Sequence, residues 1–223
     1  MAAAADASLN LLAYGDVAAG CTRCALADTR TQVVFGAGSA TADLMFVGEA
    51  PGFHEDKQGV PFVGAAGKLL GKLLDGIGLA RDEVYIANVI KCRPPGNRDP
   101  QPEEIEACEP HLWKQIELIQ PTLIATLGNF ATKLLSGKPN GITQVHGREQ
   151  RVSLGGNVVT LYPIFHPAAA LYTPRMLQVL EEDFARIPAL LGRGVEPVAK
   201  PLLAPFAPVA AAAVEQPTQL GLF

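Results

Sequence analysis

The sequence predicts an α/β protein of three layers, α/β/α, with a central, mostly parallel four-stranded sheet and an N-terminal cluster-binding segment. Short apolar runs of strand length alternate with longer stretches whose apolar residues recur at helical spacing. Strands separated by helices pair in parallel and are covered on both faces. The chain's four cysteines, Cys21 and Cys24 spaced C-x2-C and Cys92 and Cys108 sixteen residues apart, point to one metal centre tying the N-terminal segment to the core.

Residues 1 to about 30 carry the first cysteine pair. Met1–Ala5 is alanine-rich without basic residues or a long apolar stretch, so it does not read as a secretory signal. Asp43–Val47 reads as a buried strand ended by Gly48. Leu69, Leu70, Leu73, Leu74 and Ile77 then recur at helical spacing, with Lys68, Lys72 and Asp75 opposite, and Gly76 and Gly78 suit that helix's end. Val84–Ala87 is the second strand. Pro102, Glu103 and Glu104 open a helix that runs to about Ile119, with proline and acids in its first turn. Leu123–Leu127 and Val158–Phe165 are the third and fourth strands, and a last helix is expected over Pro174–Leu191. Proline and alanine dominate from about Gly194. The expected organisation is therefore one folded domain over 1–192 and a disordered tail over 193–223.

A chain of 223 residues, 48% hydrophobic, is long enough for one sizeable core. No apolar run reaches the roughly 18 residues of a membrane span, so no membrane partner is expected. Cytoplasmic location follows as an expectation, and a reducing compartment disfavours disulfides. A net charge of −4 excludes a uniformly basic nucleic-acid binder but leaves room for a local basic face. Lys91, Arg93 and Arg98 cluster around Cys92 as candidates for it. Nothing in the sequence demands an oligomer, so a monomer is expected.

Ligands of parallel sheets sit at the carboxyl ends of the strands. Glu49 follows the first strand, Asn88 ends the second, Gly128 and Asn129 follow the third and His166 follows the fourth. Polar groups from distant positions are thus expected to converge on one edge. The cysteines admit zinc or a [4Fe–4S] cluster. Zinc ribbons use two C-x2-C knuckles, whereas a wider cubane suits ligands as dispersed as Cys92, in a loop, and Cys108, on a helix. Spacing favours iron–sulfur and leaves zinc open.

These residues also resemble a known family. Cys21-Thr-Arg-Cys24, Gly48-Glu-Ala-Pro-Gly52 with Glu55, Gly59-Val-Pro-Phe-Val-Gly64, Asn88 through Arg98, Cys108 and His166-Pro-Ala-Ala169 are similar, in order, to the motifs of the family 4 (iron–sulfur) uracil-DNA glycosylases. The resemblance spans roughly residues 20–190. It implies a [4Fe–4S] cluster on Cys21, Cys24, Cys92 and Cys108, with uracil-containing DNA as substrate. The implied activity is monofunctional hydrolysis of the N-glycosidic bond, leaving an abasic site for base excision repair. A glycosylase must flip the uracil out of the stack to reach that bond.

Within that resemblance Phe62 stacks on the flipped base. Asn88 donates to uracil O4 and accepts from N3–H, a pairing that cytosine reverses. His166 stabilises the departing uracil anion at O2. Backbone groups of Ala50, Pro51 and Gly52 border the base, and Glu49 or Glu55 positions the attacking water, with Glu49 ranked first. The superfamily's best-known branch has Gly-Gln-Asp-Pro-Tyr in its first motif. Here Ala50 stands at the aspartate and Gly52 at the tyrosine, so the water-activating group and thymine exclusion must come from elsewhere. Lys91, Arg93, Arg98 and Arg175 are expected to meet phosphates, and Leu171 or Tyr172 to wedge into the gap left by the base. Gln219, Leu220, Leu222 and Phe223 resemble the short peptide that docks bacterial repair proteins on the sliding clamp, where tethering raises local concentration. Two other readings compete: a uracil-DNA capture protein without efficient turnover, and an iron–sulfur electron-transfer or nucleotide-binding protein. The second lacks any glycine-rich dinucleotide fingerprint. The first is disfavoured because the 93–101 loop lacks a basic, histidine-containing insertion.

Overall fold

Four strands of near-continuous apolar sequence form the centre of the sheet, because both of their faces are covered by helices. A computed structural model describes residues 2–154 and 156–192. The central strands are β2 (Leu44–Gly48), β3 (Tyr85–Asn88), β4 (Leu123–Leu127) and β6 (Asn157–Ile164). They pair in parallel in the order β3-β2-β4-β6, with Phe46 opposite Ile86 and Ala125, and Ala125 opposite Tyr162. Two short strands extend the edges. β1 (Ala37–Gly38) runs antiparallel to β3, and β5 (Gln150–Leu154) antiparallel to β6. The sheet therefore has six strands and is mixed, in place of the expected four. A two-residue strand leaves no periodicity to read, and β5, half exposed and polar at Gln150, Arg151 and Ser153, lacks an apolar run.

Alternation along each strand divides the core into two layers. Met45, Val47, Tyr85, Ala87, Ile124 and Leu161 face one layer, packed against Leu112 and Ile116 of α4 (Pro102–Ile119) and Ala131 and Leu135 of α5 (Asn129–Ser136). Leu44, Phe46, Ile86, Ala125, Tyr162 and Ile164 face the other. There they meet Leu69, Leu70, Leu73 and Leu74 of α3 (Ala65–Asp75), Leu180 and Phe184 of α7 (Pro174–Ala185) and Ile187 of α8 (Ile187–Leu190). The Phe46 and Phe184 rings stack at 5.7 Å across this second layer.

The helix expected over Pro174–Leu191 is split at Arg186, two residues before Pro188, whose missing N–H disfavours a continuous ladder. Helix α4 starts where its sequence predicts. Arg98 and the Gln101 N–H both bond the Glu104 carboxylate, the latter at 2.8 Å, and so satisfy groups at the helix's first turn. The alanine-rich N-terminus, read only as a segment, is helix α1 (Ala2–Ala19). Its Leu11 enters the first core layer, and Tyr14 packs edge-on to Phe35. Short helices α2 (Phe53–Gln58) and α6 (Ile142–Val145) complete the described chain. Among the described residues no helix is long and apolar enough to cross a membrane. The proline- and alanine-rich tail, with Gln219, Leu220, Leu222 and Phe223, lies outside the described residues.

Candidate active site and metal centre

Ladder bonds continue past the ends of β2 and β3: Val89 N–H donates to Gly48 O at 3.0 Å and Ile90 N–H to Glu49 O at 2.9 Å. They hold the motif after β2 beside Asn88, on the carboxyl edge of the sheet. A cleft of about 660 Å³ opens there, lined by residues 49–55, Phe62, Asn88, Asn97, Arg98 and His166, a volume suited to a small-molecule-sized group. Glu49, Asn88 and His166 share its wall, as expected. Asn129 does not; its Oδ1 accepts from the Ile142 N–H at 3.1 Å and orders the turn into α6.

Asn88 is 2% exposed, and its Oδ1 has no hydrogen-bond partner among the described residues. A buried acceptor left unpaired costs roughly 1–3 kcal/mol, so the cleft is shaped for a donor that comes from outside. Gly48 makes room for it. A Cβ there would collide with Asn88 Oδ1 and approach the Phe62 ring at 2.7 Å.

Phe62 has φ 53°, a conformation costly for a bulky side chain. Three contacts hold it. Glu55 Oε1 accepts from the Val63 and Gly64 amides, each at 2.9 Å, Arg81 donates to Pro61 O, and Gly67 lets α3 pack directly on the Phe62 carbonyl. The ring is 7% exposed and stacks beside His166 at 5.6 Å.

His166 caps a 3-10 turn over Pro167–Ala170, and its Nδ1 accepts from the Ala168 N–H at 3.1 Å. That bond leaves the ring proton on Nε2, turning the imidazole into a donor. Burial pushes its pKa down to about 4, with the Glu55 charge opposing, so the ring is neutral near pH 7.

Glu49 is half-buried in the cleft. Burial raises its pKa, and the Asp99 charge adds to the effect. Perturbation of this kind is typical of a working base. Glu55 also reaches the cleft, yet one of its oxygens is committed to the 63–64 amides. Its carboxylate therefore orders the loop that carries Phe62. Ala50, Pro51 and Gly52 line the cleft as expected, with only Ala50 and Gly52 bringing an N–H.

The basic candidates separate. Lys91, expected at the DNA surface, is 1% exposed. Its Nζ donates to Asn88 O at 2.6 Å and Gln115 Oε1 at 2.5 Å, and burial lowers its pKa to about 8. Two carbonyl oxygens replace its water, and it cannot reach a phosphate. Arg93 lies over Phe53 at 5.2 Å, its Nε on Asn97 Oδ1 at 2.6 Å. Arg98 rims the cleft in a two-bond pair with Glu104, at 2.6 and 2.9 Å. Arg175 is exposed in the first turn of α7. Leu171 packs partly against the second core layer, whereas Tyr172 is 88% exposed.

Beyond β3 the chain carries Cys92 into a second cavity that Cys21, Cys24 and Cys108 also line, walled by Leu26 and Ile90. All four thiols are free. Arg30 Nη1 approaches Cys92 Sγ at 3.6 Å, and the Lys91 N–H donates to Cys108 Sγ at 3.2 Å. Burial pushes the Cys92 thiol up to about 11 and raises Cys108 as well. Among the described residues no three cysteine, histidine or carboxylate side chains converge as one ion requires. Four thiols bordering one cavity are the donor set of either a zinc ion or an iron–sulfur cluster.

Sequence reasoning missed Gln115 and His111. Both lie on the face of α4 that carries Cys108 and Leu112, and a polar residue on an otherwise apolar stripe was the available signal. Gln115 joins Lys91 to Tyr85 Oη at 3.0 Å and Phe35 O at 2.7 Å.

Comparison with known proteins agrees with this geometry. The model of the uracil DNA glycosylase superfamily matches residues 35–187. The chain is 49% identical over 172 residues to a type-4 uracil-DNA glycosylase of Sulfurisphaera tokodaii, covering 75% of this chain and 78% of that protein. It is 47% identical over 177 residues to one of Archaeoglobus fulgidus, covering 78% and 89%. A third, of Thermotoga maritima, is 49% identical over 152 residues, covering 68% and 78%. With its cleft at the carboxyl edge of the parallel central strands and its four-cysteine cavity alongside, the chain belongs to the type-4 uracil-DNA glycosylases of the uracil-DNA glycosylase superfamily.

Proposed function

We infer that the protein is a uracil-DNA glycosylase, a hydrolase that acts on N-glycosyl bonds, and that it removes uracil flipped out of DNA without cutting the strand. The observation that carries this reading is the unpaired, buried Asn88 Oδ1 beneath the cleft. Uracil N3–H supplies the donor it lacks, and the Asn88 amide donates to O4. Cytosine presents an acceptor at N3 and a donor at C4, leaving both groups of Asn88 unpaired in a dry site, a strong basis for rejection. Phe62 offers the base an apolar ring.

Glycosidic cleavage builds negative charge on uracil and positive charge on the sugar. His166 Nε2–H is proposed to bond uracil O2 as that charge develops, stabilising the transition state more than the bound substrate. Water attacks the sugar carbon as the C–N bond breaks, and its proton passes to Glu49, whose raised pKa makes it the better base. Glu55 is assigned a positioning role through the Phe62 loop. Arg93, Arg98 and Arg175 are proposed to meet the DNA backbone, with Tyr172 rather than Leu171 at the gap.

Cys21, Cys24, Cys92 and Cys108 are proposed to hold a [4Fe–4S] cluster. When bound, its iron would ionise the thiols and crosslink the N-terminal segment, the 92–101 loop and α4. Such ligation suits the reducing cytoplasm. A monomer is proposed, together with docking of Gln219, Leu220, Leu222 and Phe223 on a sliding clamp. Equal clamp retention with and without residues 219–223 would rule that docking out.

The test is incubation with an end-labelled oligonucleotide containing one uracil, followed by alkali. Alkali-dependent cleavage at uracil that is lost in His166→Ala supports the reading. A stable shifted complex without cleavage would replace it with capture.

A further inference from the structure

One nitrogen in the cysteine cavity, Nε2 of His111, is used neither by the fold nor by the proposed chemistry. His111 stands on α4 three residues beyond Cys108 and is 2% exposed. It lines the same cavity as the four cysteines, and its buried Nε2 has no hydrogen-bond partner among the described residues. Its other nitrogen, Nδ1, lies 3.0 Å from Tyr14 Oη on α1. A histidine that merely filled this space would leave a buried nitrogen stranded, and a leucine would do better.

The Tyr14 contact bears on the ring proton. When the tyrosine O–H donates to Nδ1, the proton sits on Nε2. The opposite tautomer would leave a lone pair on Nε2 in a cavity bordered by four sulfurs. Two other donors already approach this sulfur set, Arg30 Nη1 at 3.6 Å from Cys92 Sγ and the Lys91 N–H at 3.2 Å from Cys108 Sγ.

We propose that His111 donates its Nε2–H to the sulfur cage of the iron–sulfur centre, with Tyr14 holding the tautomer, so that the pair sets the centre's reduction potential and couples α1 to it. This rests on the cluster reading given above. Hydrogen bonds to cluster sulfurs favour the more negative, reduced state and raise the potential. His111 is thus a positioning and tuning residue that touches no DNA.

The test uses the full chain, purified anaerobically, with iron and sulfide counted and the midpoint potential read by spectroelectrochemical titration. His111→Phe keeps its iron and shifts the midpoint negative by an amount equivalent to about tenfold in the one-electron equilibrium, ~59 mV. His111→Gln, which retains an N–H, restores part of the shift. Tyr14→Phe shifts the midpoint the same way by less. Should His111→Phe fail to load iron, Tyr14→Phe decides alone. Unchanged potentials in the variants that load would overturn the assignment while leaving the cluster intact. Wild-type protein without stoichiometric iron and sulfide would instead overturn the cluster reading on which the assignment stands.

Discussion

The cleft and the cysteine cavity lie on either side of one short segment, residues 88–92, and each holds a buried polar atom without a partner among the described residues, Asn88 Oδ1 in one and His111 Nε2 in the other. They differ in how open they are and in what lines them. The cleft is open and roomy, with a carboxylate whose pKa is raised and an imidazole whose proton is fixed by the backbone. Four thiols, apolar side chains, Arg30 and His111 border the narrow free space of the cavity. An open site with an unpaired acceptor suits a ligand that arrives and leaves. A closed site of thiols suits a group acquired once and retained. Lys91 ties the two together, since its side chain bonds Asn88 O while its own N–H bonds Cys108 Sγ. Damage to the cavity should therefore reach stability first, whereas damage to the cleft should reach activity alone.

Cys92→Ser combined with Cys108→Ser gives the largest effect. With the proposed cluster on these cysteines, the double variant no longer binds iron and its Tm falls by more than about 10 °C, because a group that binds only the folded chain stabilises it by mass action. An unchanged melting curve would abolish the contrast between the regions. His166→Ala comes next, lowering kcat about 10²–10³-fold, the scale for one donor to a developing anion, with Tm nearly unmoved. Gly48→Ala drives a methyl into Asn88 Oδ1 and the Phe62 ring and lowers kcat/KM at least about tenfold; wild-type rates from this variant would mean that Asn88 does not read the base where it stands.

The pH profile of kcat/KM sharpens the account of the cleft. Glu49 must be ionised to take a proton, so activity rises as pH climbs through its raised pKa and is lost below it. His166, neutral until about pH 4, adds no limb above that. Glu49→Gln removes the limb; a limb near pH 6.5 that survives in this variant would show the histidine titrating normally. The smallest effect compares two cations. Arg175→Ala reduces the salt dependence of DNA affinity by roughly one phosphate contact. Lys91→Met leaves that slope unchanged and acts on stability, because its ammonium is enclosed by two carbonyls.

Much of this was readable along the chain. The four central strands are near-continuous apolar runs, and α4 announces its start with Pro102, Glu103 and Glu104. The edge strands were not, since Ala37–Gly38 is too short for a period and Gln150–Leu154 is polar. Helix α1 was hidden because Leu11 faces the core while Leu9, Leu12 and Val17 stay exposed, which blurs any stripe. Glu49, Asn88 and His166 came to notice because each follows or ends an apolar run, whereas Phe62 was found only through the family resemblance of the Gly59–Gly64 motif.

By itself the sequence determined the parallel centre of the sheet, the edge on which the polar groups gather and the four sulfurs. All of these depend on local pattern or on residue chemistry that does not change with surroundings. Only the tertiary structure decided which way Lys91 turns, that Glu55 spends an oxygen on the Phe62 loop, that Tyr172 rather than Leu171 stands free, and that Tyr14 meets His111. Residues 89–92 follow a strand's end, where no period continues to assign a side chain to core or solvent. Tyr14 and His111 are 97 positions apart and meet because α1 packs on α4. Such contacts depend on the surface each side chain meets, and that surface exists only after folding.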